Sequence, residues 1–254
     1  MSVFQAPGET RQEDRREFDP TILEDGDQDF ISECAGDSLD SALNGTVNPQ
    51  IKITTSGDDE ESVIPFGECL QSLIPNSVFE TREGTSFTEF RNKTIEEGFS
   101  DLLVLVSANK MVYSMMQIHL PDGPCAHWRV TSINLPHQIP GHGVASSHYP
   151  EVIMKRFETH LGRTCSRMLK SLFPAQPQFE GRRACIFHHQ RDFIFFRHYR
   201  YIFDTEGDVK VQECGPRFTL KLLWLQEGPF DPSNGQYTFY RRQRHESSRR
   251  RWWL

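Results

Sequence analysis

The sequence predicts an α/β fold of the α+β kind, and three observations carry that prediction. Apolar residues recur at helix-like and strand-like periods in successive segments along residues 51–225. Residues 101–106 form a continuous apolar run, which is typical of a strand buried on both faces. A Gly-Pro pair occurs twice between strand-like segments, as Gly123-Pro124 and Gly215-Pro216. This recurrence fits an internal duplication of one α/β unit, although Gly-Pro is also common turn chemistry between strands.

Composition fits a globular body with polar arms. The chain has 254 residues, of which 37% are hydrophobic, and its mean hydropathy is -0.56. No apolar run approaches the ~18 residues of a membrane helix, and the start of the chain lacks the apolar segment of a secretory signal. The six cysteines are widely and irregularly spaced, without a C-x-x-C pair. They indicate reduced thiols in a cytosolic or nuclear compartment rather than a zinc site or disulfides.

Charge is distributed unevenly along the chain. Residues 1–62 hold 4 Lys and Arg against 16 Asp and Glu, whereas the remaining residues hold 24 against 19. The last fifteen residues contain six Arg and one Glu. This asymmetry indicates nucleic-acid contact at one end of the chain, although a solvated charged tail explains it equally well.

The chain divides into an arm, a body and a tail. Residues 1–48 are acidic, without apolar periodicity, and are expected to be mostly disordered. The body covers residues 49–229, and residues 230–254 form an Arg-rich tail. Elements predicted in the first half of the body, about residues 49–135, are strands at 51–55, 101–106, 111–119 and 126–135 and helices at 62–74 and 87–98.

The second half, about residues 150–229, follows a Pro- and Gly-rich linker. Pro150 suits the first turn of a helix, and the apolar steps that follow predict an amphipathic helix of about six turns that ends at Pro174. Its apolar positions are Val152, Ile153, Phe157, Leu161, Cys165, Met168, Leu169 and Leu172. Strands are then predicted at 184–188, 193–203, 209–213 and 218–225.

No catalytic constellation is present, because nucleophile-elbow, zinc-protease, Walker and dinucleotide motifs are all missing from the sequence. His188 and His189 precede Asp192, but adjacent side chains on a strand point to opposite faces and do not easily share one metal. A hydrogen-bond network that stabilises a turn is the preferred interpretation. The sequence predicts no catalytic residue, no metal and no cofactor.

Residues 191–203, RDFIFFRHYRYIF, interleave aromatic side chains with Arg191, Arg197 and Arg200. Such a mixture suits base stacking and phosphate contact. The aromatic residues occupy odd positions, however, so they share one strand face, and a buried aromatic face is the preferred interpretation. The three arginines would then point outward and contact phosphate.

Residues 210–225, KVQECGPRFTLKLLWL, form the most informative segment. The alternation directs Phe218, Leu220 and Leu222 to the core and Arg217, Thr219 and Lys221 to the other face. Two cations about 6–7 Å apart with a hydroxyl between them match the pitch of a phosphodiester backbone. An ordinary solvated strand face explains the spacing as well. The tail adds further Arg and Trp residues that suit RNA or a protein partner.

Several of these strings are similar to those of the Brix domain superfamily. They are SLFPAQPQFEGRRACIFHHQRDFIFFRHYRYIF and VQECGPRFTLKLLWLQEG in the second half, and IKITTS, LIPNSVFE, GFSDLLVLV, HLPDGPCAHWRV and SSHYPEVIMKRF before them. The resemblance covers about residues 50–254 in order. The ending SSRRRWWL is similar to that of one subgroup of the superfamily.

The resemblance implies a Brix domain of two similar halves, each a mixed sheet with helices resembling the anticodon-binding domain of certain tRNA synthetases. It implies binding of precursor ribosomal RNA in the nucleolus, and work beside other large-subunit assembly factors, including a zinc-containing partner protein. It also carries over an RNA-binding stretch, backed by Arg191, Arg197 and Arg200 as secondary contacts. The stretch consists of Glu206, Gly207, Asp208, Val209, Lys210, Val211, Gln212, Glu213, Cys214, Gly215, Pro216, Arg217, Phe218, Thr219, Leu220, Lys221, Leu222 and Leu223.

The chain departs from the family pattern in its charges. Family members often carry a long Lys-rich N-terminal extension, whereas this arm is short and acidic. Leu223 and Trp224 stand where family members tend to have Arg and a polar residue. We therefore expect weaker RNA binding by the isolated chain. The alternative function is a protein-interaction scaffold in the pre-ribosome with little direct RNA contact.

Overall fold

The computed structural model describes residues 22–23, 26–57, 59–82, 84–205, 207–242 and 254. Its helices are α1 (Gln28–Cys34), α2 (Asp40–Leu43), α3 (Ile64–Leu73), α4 (Phe87–Glu96) and α5 (His160–Ser171). Its strands are β1 (Ile51–Gly57), β2 (Ser77–Phe79), β3 (Asp101–Ala108), β4 (Met111–His119), β5 (Cys125–Asn134), β6 (Glu151–Lys155), β7 (Arg183–Gln190), β8 (Phe193–Phe203), β9 (Val209–Glu213), β10 (Arg217–Glu227) and β11 (Gln236–Tyr240).

The strands form one large mixed sheet, so the α/β prediction is confirmed at this level. Its order is β2-β1-β3-β4-β5-β10-β8-β7-β6, while β9 pairs with β8 and β11 with β10. In the first half β1 lies parallel to β3, and β4 and β5 follow antiparallel. In the second half β6 lies parallel to β7, and β8 and β10 follow antiparallel. The antiparallel pair of β5 and β10 joins the halves, so the same pattern extends outward from this pair in both directions.

Helices cover the two faces of the sheet unequally. α3 and α5 pack on one face, where a single apolar core includes Leu70 of α3 and Leu169 of α5. α4 packs on the other face, where Phe90 meets Leu102 and Ile118. α4 precedes β3 in the first half, but a 3-10 turn at Phe179–Gly181 precedes β7 in the second. Within the described residues, no helix covers this face of the second half.

The predicted six-turn helix of the second half is wrong in its first part. Glu151–Lys155 is strand β6, and α5 begins only at His160, after Thr159 caps it by accepting a hydrogen bond from the Gly162 amide. β6 takes its backbone partners from β7, which is distant in sequence. Val152 and Met154, two residues apart, pack on the same core as α5. The two apolar patterns therefore merged into one apparent helical period.

Parts of the arm and of the tail are ordered, which corrects the expected disorder of residues 26–48 and the expected polar tail. Leu39 and Ala42 are buried, and Arg167 of α5 donates two 2.8 Å hydrogen bonds to Asp37. In the tail, β11 extends the sheet and buries Phe239. A few apolar residues suffice to order these segments, because they pack on the surface of the folded body. Predictions for residues 1–21 and 243–253 lie outside the described residues.

Among the residues described, no helix is both long enough and apolar enough to cross a membrane.

Candidate nucleic-acid interface

The predicted RNA-binding stretch, apart from Glu206, which lies outside the described residues, runs through β9, a bend at Gly215-Pro216 and β10. Gly215 has a φ of +71°, a conformation that favours glycine. His198 of β8 fixes the bend, because its Nδ1 lies 2.7 Å from the Gly215 carbonyl oxygen. Its Nε2 accepts a 3.2 Å hydrogen bond from Nε of buried Arg183. Burial lowers the pKa of His198 to about 4, so the ring is neutral and able to accept that bond.

The predicted alternation along β10 is confirmed. Phe218, Leu220 and Leu222 are buried in the main core, so residues 217, 219 and 221 face the opposite side. The sequence predicts that Arg217 contacts phosphate, but in the structure its guanidinium is paired with a carboxylate. Its Nε and Nη2 donate hydrogen bonds to Glu213 at 2.6 and 2.7 Å. These hydrogen bonds raise the pKa of Arg217. The face therefore presents a neutralised ion pair at one end and Lys221 at the other.

Lys221 has a cationic neighbour that the sequence analysis missed. Arg129 of β5 lies directly opposite it in the strand register, and Thr131 lies opposite Thr219. Lys221 Nζ is 5.1 Å from the centre of the Phe193 ring, and the Arg129 guanidinium is 4.9 Å from that of Tyr113. We call Lys221, Arg129, Thr219 and Thr131 the cation seam. The sequence signal was the alternation of residues 126, 128 and 130, which leaves Arg129 on the outward face.

Like charges opposite one another on neighbouring strands repel, at a cost of roughly 0.2–1 kcal/mol. An anion placed between Lys221 and Arg129 attracts both cations and so offsets their mutual repulsion. The faces of the Phe193 and Tyr113 rings contact Lys221 and Arg129 respectively, as cation–π interactions. Arg129 is exposed, and Lys221 is half-buried. The seam is therefore suited to a phosphate group.

The odd-numbered aromatic residues of β8 face away from the main core, although the preferred prediction buried them. The buried positions are Ile194, Phe196 and His198, whereas the odd-numbered aromatic residues are half-buried or exposed. These odd-numbered residues are Phe193, Phe195, Tyr199, Tyr201 and Phe203. Alternation shows which residues share a face, but the position of α5 decides which face is covered. The aromatic residues thus lie on the uncovered side of the sheet, together with Arg197.

This uncovered side contains a concavity of about 260 Å³. We call its main lining residues, Lys155, Ile186, His188, Phe195, Arg197 and Tyr199, the open face. His188 Nε2 is buried and has no hydrogen-bond partner among the described residues. Burial, followed by the charges of Arg156 and Lys155, lowers the pKa of His188. The open face therefore combines apolar rings with cations and a polar atom that lacks a partner.

The three secondary arginines do not converge on one site. Arg191 lies in the β7–β8 turn with a φ of +52°, and Arg197 lies on the open face. Arg200 points to the opposite face, where it donates a 2.9 Å hydrogen bond to the Val144 carbonyl oxygen.

The remaining members of the stretch have mixed placements. β9 is exposed along most of its length, and Lys210 pairs with Asp204 across the β8–β9 turn that contains Gly207 and Asp208. Gln212 donates to the Gly141 carbonyl oxygen at 3.3 Å, and Cys214 is buried. Leu223 is half-buried. The stretch therefore contributes to the seam through β10, while β9 forms a separate exposed surface.

His189, near the β7–β8 turn, forms the predicted hydrogen-bond network, whereas His188 lies on the open face and takes no part in it. His189 Nδ1 lies 2.8 Å from the Arg156 carbonyl oxygen, and His189 Nε2 accepts a 3.0 Å bond from the Asp192 amide. Burial raises the pKa of the Cys125 and Cys185 thiols to about 12, so both stay protonated. No cluster of three metal-ligating side chains occurs within the described ranges.

Similarity to known proteins identifies the family of this chain. The family model of the Brix domain matches residues 65–224. Ribosome production factor 1 of Xenopus laevis is 38% identical over 244 residues, which cover 95% of this chain and 71% of that protein. Ribosome production factor 1 of Danio rerio is 39% identical over 244 residues, covering 95% of this chain and 74% of that protein.

A solved structure supports the fold. The crystal structure of a probable ribosomal biogenesis protein from Aeropyrum pernix K1 superposes with a TM-score of 0.52 at 12% identity. The superposition covers 74% of this chain and 99% of that chain. At this identity the likeness concerns the fold alone.

Proposed function

The chain belongs to the Brix domain family, and on that premise we propose that it is a ribosome biogenesis factor of the large subunit. In this proposal it binds precursor ribosomal RNA and other assembly factors in the nucleolus. The family consists of non-enzymatic assembly factors, which agrees with the prediction that the chain binds rather than catalyses.

The cation seam is the observation that supports RNA binding most directly. Lys221 lies within the stretch that the resemblance predicts to bind RNA, and Arg129 brings a second cation to it from the other half of the sheet. Phosphate contacts supply most of the sequence-independent affinity of proteins for nucleic acids. A two-strand platform with paired cations provides such contacts on a rigid support.

The charge test is the first prediction. Replacing Arg129→Gln and Lys221→Gln together should weaken binding to a precursor large-subunit rRNA fragment and lower the salt dependence. The slope of log K against log salt should fall by about 1.5, since two phosphate contacts disappear. Binding is measured by filter retention or fluorescence anisotropy across a salt series. Lys170→Gln is the matched control, because Lys170 is an exposed cation on α5, at the opposite side of the sheet.

Equal slopes for the double variant and the parent would show that the seam is not the RNA site. The second candidate function, a scaffold with little direct RNA contact, is favoured by Glu213, which neutralises part of the predicted RNA face. It gains support if the parent binds no RNA fragment but still co-purifies with pre-ribosomal particles. The zinc-containing partner protein stays a prediction under either function.

A further inference from the structure

An aromatic cluster lies beside the cation seam on the same side of the sheet. Trp224, three residues after Lys221 on β10, stands opposite His127 of β5 in the strand register. His127 and Arg129 are alternate residues of β5, so they face the same side. Trp224 therefore projects from the sheet next to the seam.

Two tyrosines of β11 complete the cluster. Tyr240 stands directly opposite Trp224 in the strand register. The Tyr237 ring meets both of these rings edge to face, with centre distances of 5.7 Å to Trp224 and 5.6 Å to Tyr240. Tyr240 is 54% exposed and Tyr237 is 39% exposed. We call Trp224, Tyr237 and Tyr240 the ring platform.

Further contacts fix the Trp224 ring on which the tyrosines rest. Phe230 stacks on it, with the ring centres 5.9 Å apart and an angle of 13° between the planes, and the His127 ring lies 5.2 Å away. His127 Nε2 lies 2.8 Å from Ser114 Oγ, which orients the histidine in turn. Burial lowers the pKa of His127 to about 4, so this ring is neutral at pH 7. The two tyrosines therefore present exposed ring surface on a rigid support.

The carboxylates of β10 and of the loop that leads to β11 are bound elsewhere. Glu227 accepts a 2.8 Å hydrogen bond from Thr238 Oγ1. Asp231 accepts hydrogen bonds from the backbone amides of Ser233 and Asn234. Neither carboxylate pairs with a cation of the seam, so an anion at the seam meets no competing ion pair from this side.

The distance between the seam and the ring platform suits a nucleotide. Lys221 and Trp224 lie at most about 10 Å apart along β10, at about 3.3 Å per residue, so a base attached to a phosphate at the seam reaches the rings. In an RNA duplex the base faces are stacked inside the helix, and only an unpaired base can lie on a protein ring. A protein segment is less suited, because the exposed neighbours of the tyrosines on β11, Gln236 and Thr238, are polar.

We propose that the ring platform is a stacking site for an unpaired base of precursor ribosomal RNA whose phosphate binds at the cation seam. Tyr240 and Tyr237 supply the ring surface, and Arg129 and Lys221 supply the charge. The chain thereby selects single-stranded segments over duplex. β11 lies beyond residues 65–224, which match the family model, so the site adds to the stretch that the resemblance predicts. This inference rests on the proposed function, because it names the class of RNA that the seam binds.

Fluorescence anisotropy with the full chain tests the proposal. The probes are a labelled, unstructured oligoribonucleotide of about twelve nucleotides and a blunt RNA duplex of the same length. We expect the parent to bind the single strand at least about fivefold more tightly than the duplex, and Tyr240→Leu to weaken single-strand binding by about fivefold or more, since it removes the stacking of one base. Tyr240→Phe keeps the ring and should stay within about twofold of the parent. Tyr237→Leu, at a second ring, should act in the same direction as Tyr240→Leu.

A salt series separates stacking from charge. Stacking releases no counterions, so Tyr240→Leu should lower affinity by the same factor at every salt concentration and keep the parental slope, unlike the double variant of the seam. Phe203→Leu is the matched control, because Phe203 is a ring of similar exposure, 58%, at the end of β8. It should leave both the affinity and the slope unchanged.

Three outcomes would overturn the stacking site. They are parental affinity of both tyrosine-to-leucine variants for the single strand, equal losses in Tyr240→Leu and Phe203→Leu, and equal binding of duplex and single strand by the parent. In each of these cases a lower salt slope of the seam variant would still support the proposed function. If the parent binds neither RNA, direct RNA binding fails, and the inference fails with it.

Discussion

Glu213 is the residue that sets the charge of the predicted RNA face. Its carboxylate accepts both hydrogen bonds of Arg217 and lies 3.8 Å from Nε of Arg197. Two of the cations that the sequence offers are therefore partly neutralised, although their positions on the strands are as predicted. If this face binds RNA as proposed, the carboxylate competes with an incoming phosphate, and we expect it to limit the affinity of the isolated chain.

Removing that carboxylate should strengthen RNA binding. We expect Glu213→Gln to raise affinity for the rRNA fragment by up to about fivefold, roughly the 1 kcal/mol of a surface ion pair, and to steepen the salt slope. The same salt series by anisotropy measures both. Glu180→Gln, at an exposed carboxylate of the 3-10 turn, is the control for net charge. An increase of equal size in both variants would mean that only overall charge matters.

His198 links the core to the same interface. It holds the Gly215 carbonyl oxygen and accepts from Arg183, whose guanidinium also donates to the His148 and Leu73 carbonyl oxygens. Protonation of Nε2 would break the bond from Arg183 and place two cations together in the interior. The bend before β10 therefore depends on a neutral histidine.

This arrangement predicts a specific pH dependence of stability. The pKa of His198 is about 4 in the folded protein and about 6.5 when unfolded, so the unfolded state binds the extra proton between these values. The stabilisation is fully present above about pH 6.5 and is lost as pH falls toward 4, by up to about 1.4 kcal/mol per pH unit.

The measurement is urea unfolding from pH 4.5 to 7. His198→Gln should be less stable at pH 7 but should lose less stability on acidification than the parent. His137→Gln, at an exposed histidine, should keep the parental slope. A parental slope in His198→Gln would contradict the assignment.

At the scale of elements, local patterns predicted most helices and strands correctly, but they did not predict which face of a strand a helix covers. β1, α3, α4, β3, β4 and β5 form where their periods predict. The second half was harder, because β6 and α5 share one apolar stripe that merged into a single helical period. The prediction that the aromatic side of β8 faces the core was wrong for a related reason. Alternation shows that Phe195, Arg197 and Tyr199 share one face, but it does not show whether a helix packs on that face and buries it.

The candidate site was predictable to the same extent. The face of Lys221 followed from alternation within β10, but the pairing of β10 with β5 joins residues about ninety positions apart, so Arg129 did not emerge. The ion pair of Arg217 with Glu213 was hidden likewise, because the Gly215-Pro216 bend brings β9 back beside it. Long-range register is the information that local periodicity lacks.

At the scale of the whole molecule, the two halves share one core. The rings of Phe66 in α3 and Phe218 in β10 lie 5.5 Å apart, edge to face. Gln117 of β4 donates a 2.7 Å hydrogen bond to the Met168 carbonyl oxygen of α5. The cation seam lies on the β5–β10 pair that joins the halves, so its geometry requires both of them to be folded.

We therefore expect the halves to unfold as a single cooperative unit. Leu70→Ala in α3 and Leu169→Ala in α5 each remove a fully buried side chain from the shared core and should each cost about 2–5 kcal/mol. Hydrogen exchange read at β3 and β7 distinguishes the possibilities. If the core is shared, either substitution lowers the protection of both strands equally, since opening requires the whole sheet to separate. Loss of protection confined to the substituted half would show that the halves unfold independently. The β5–β10 pair would then be a contact between two separately folded units.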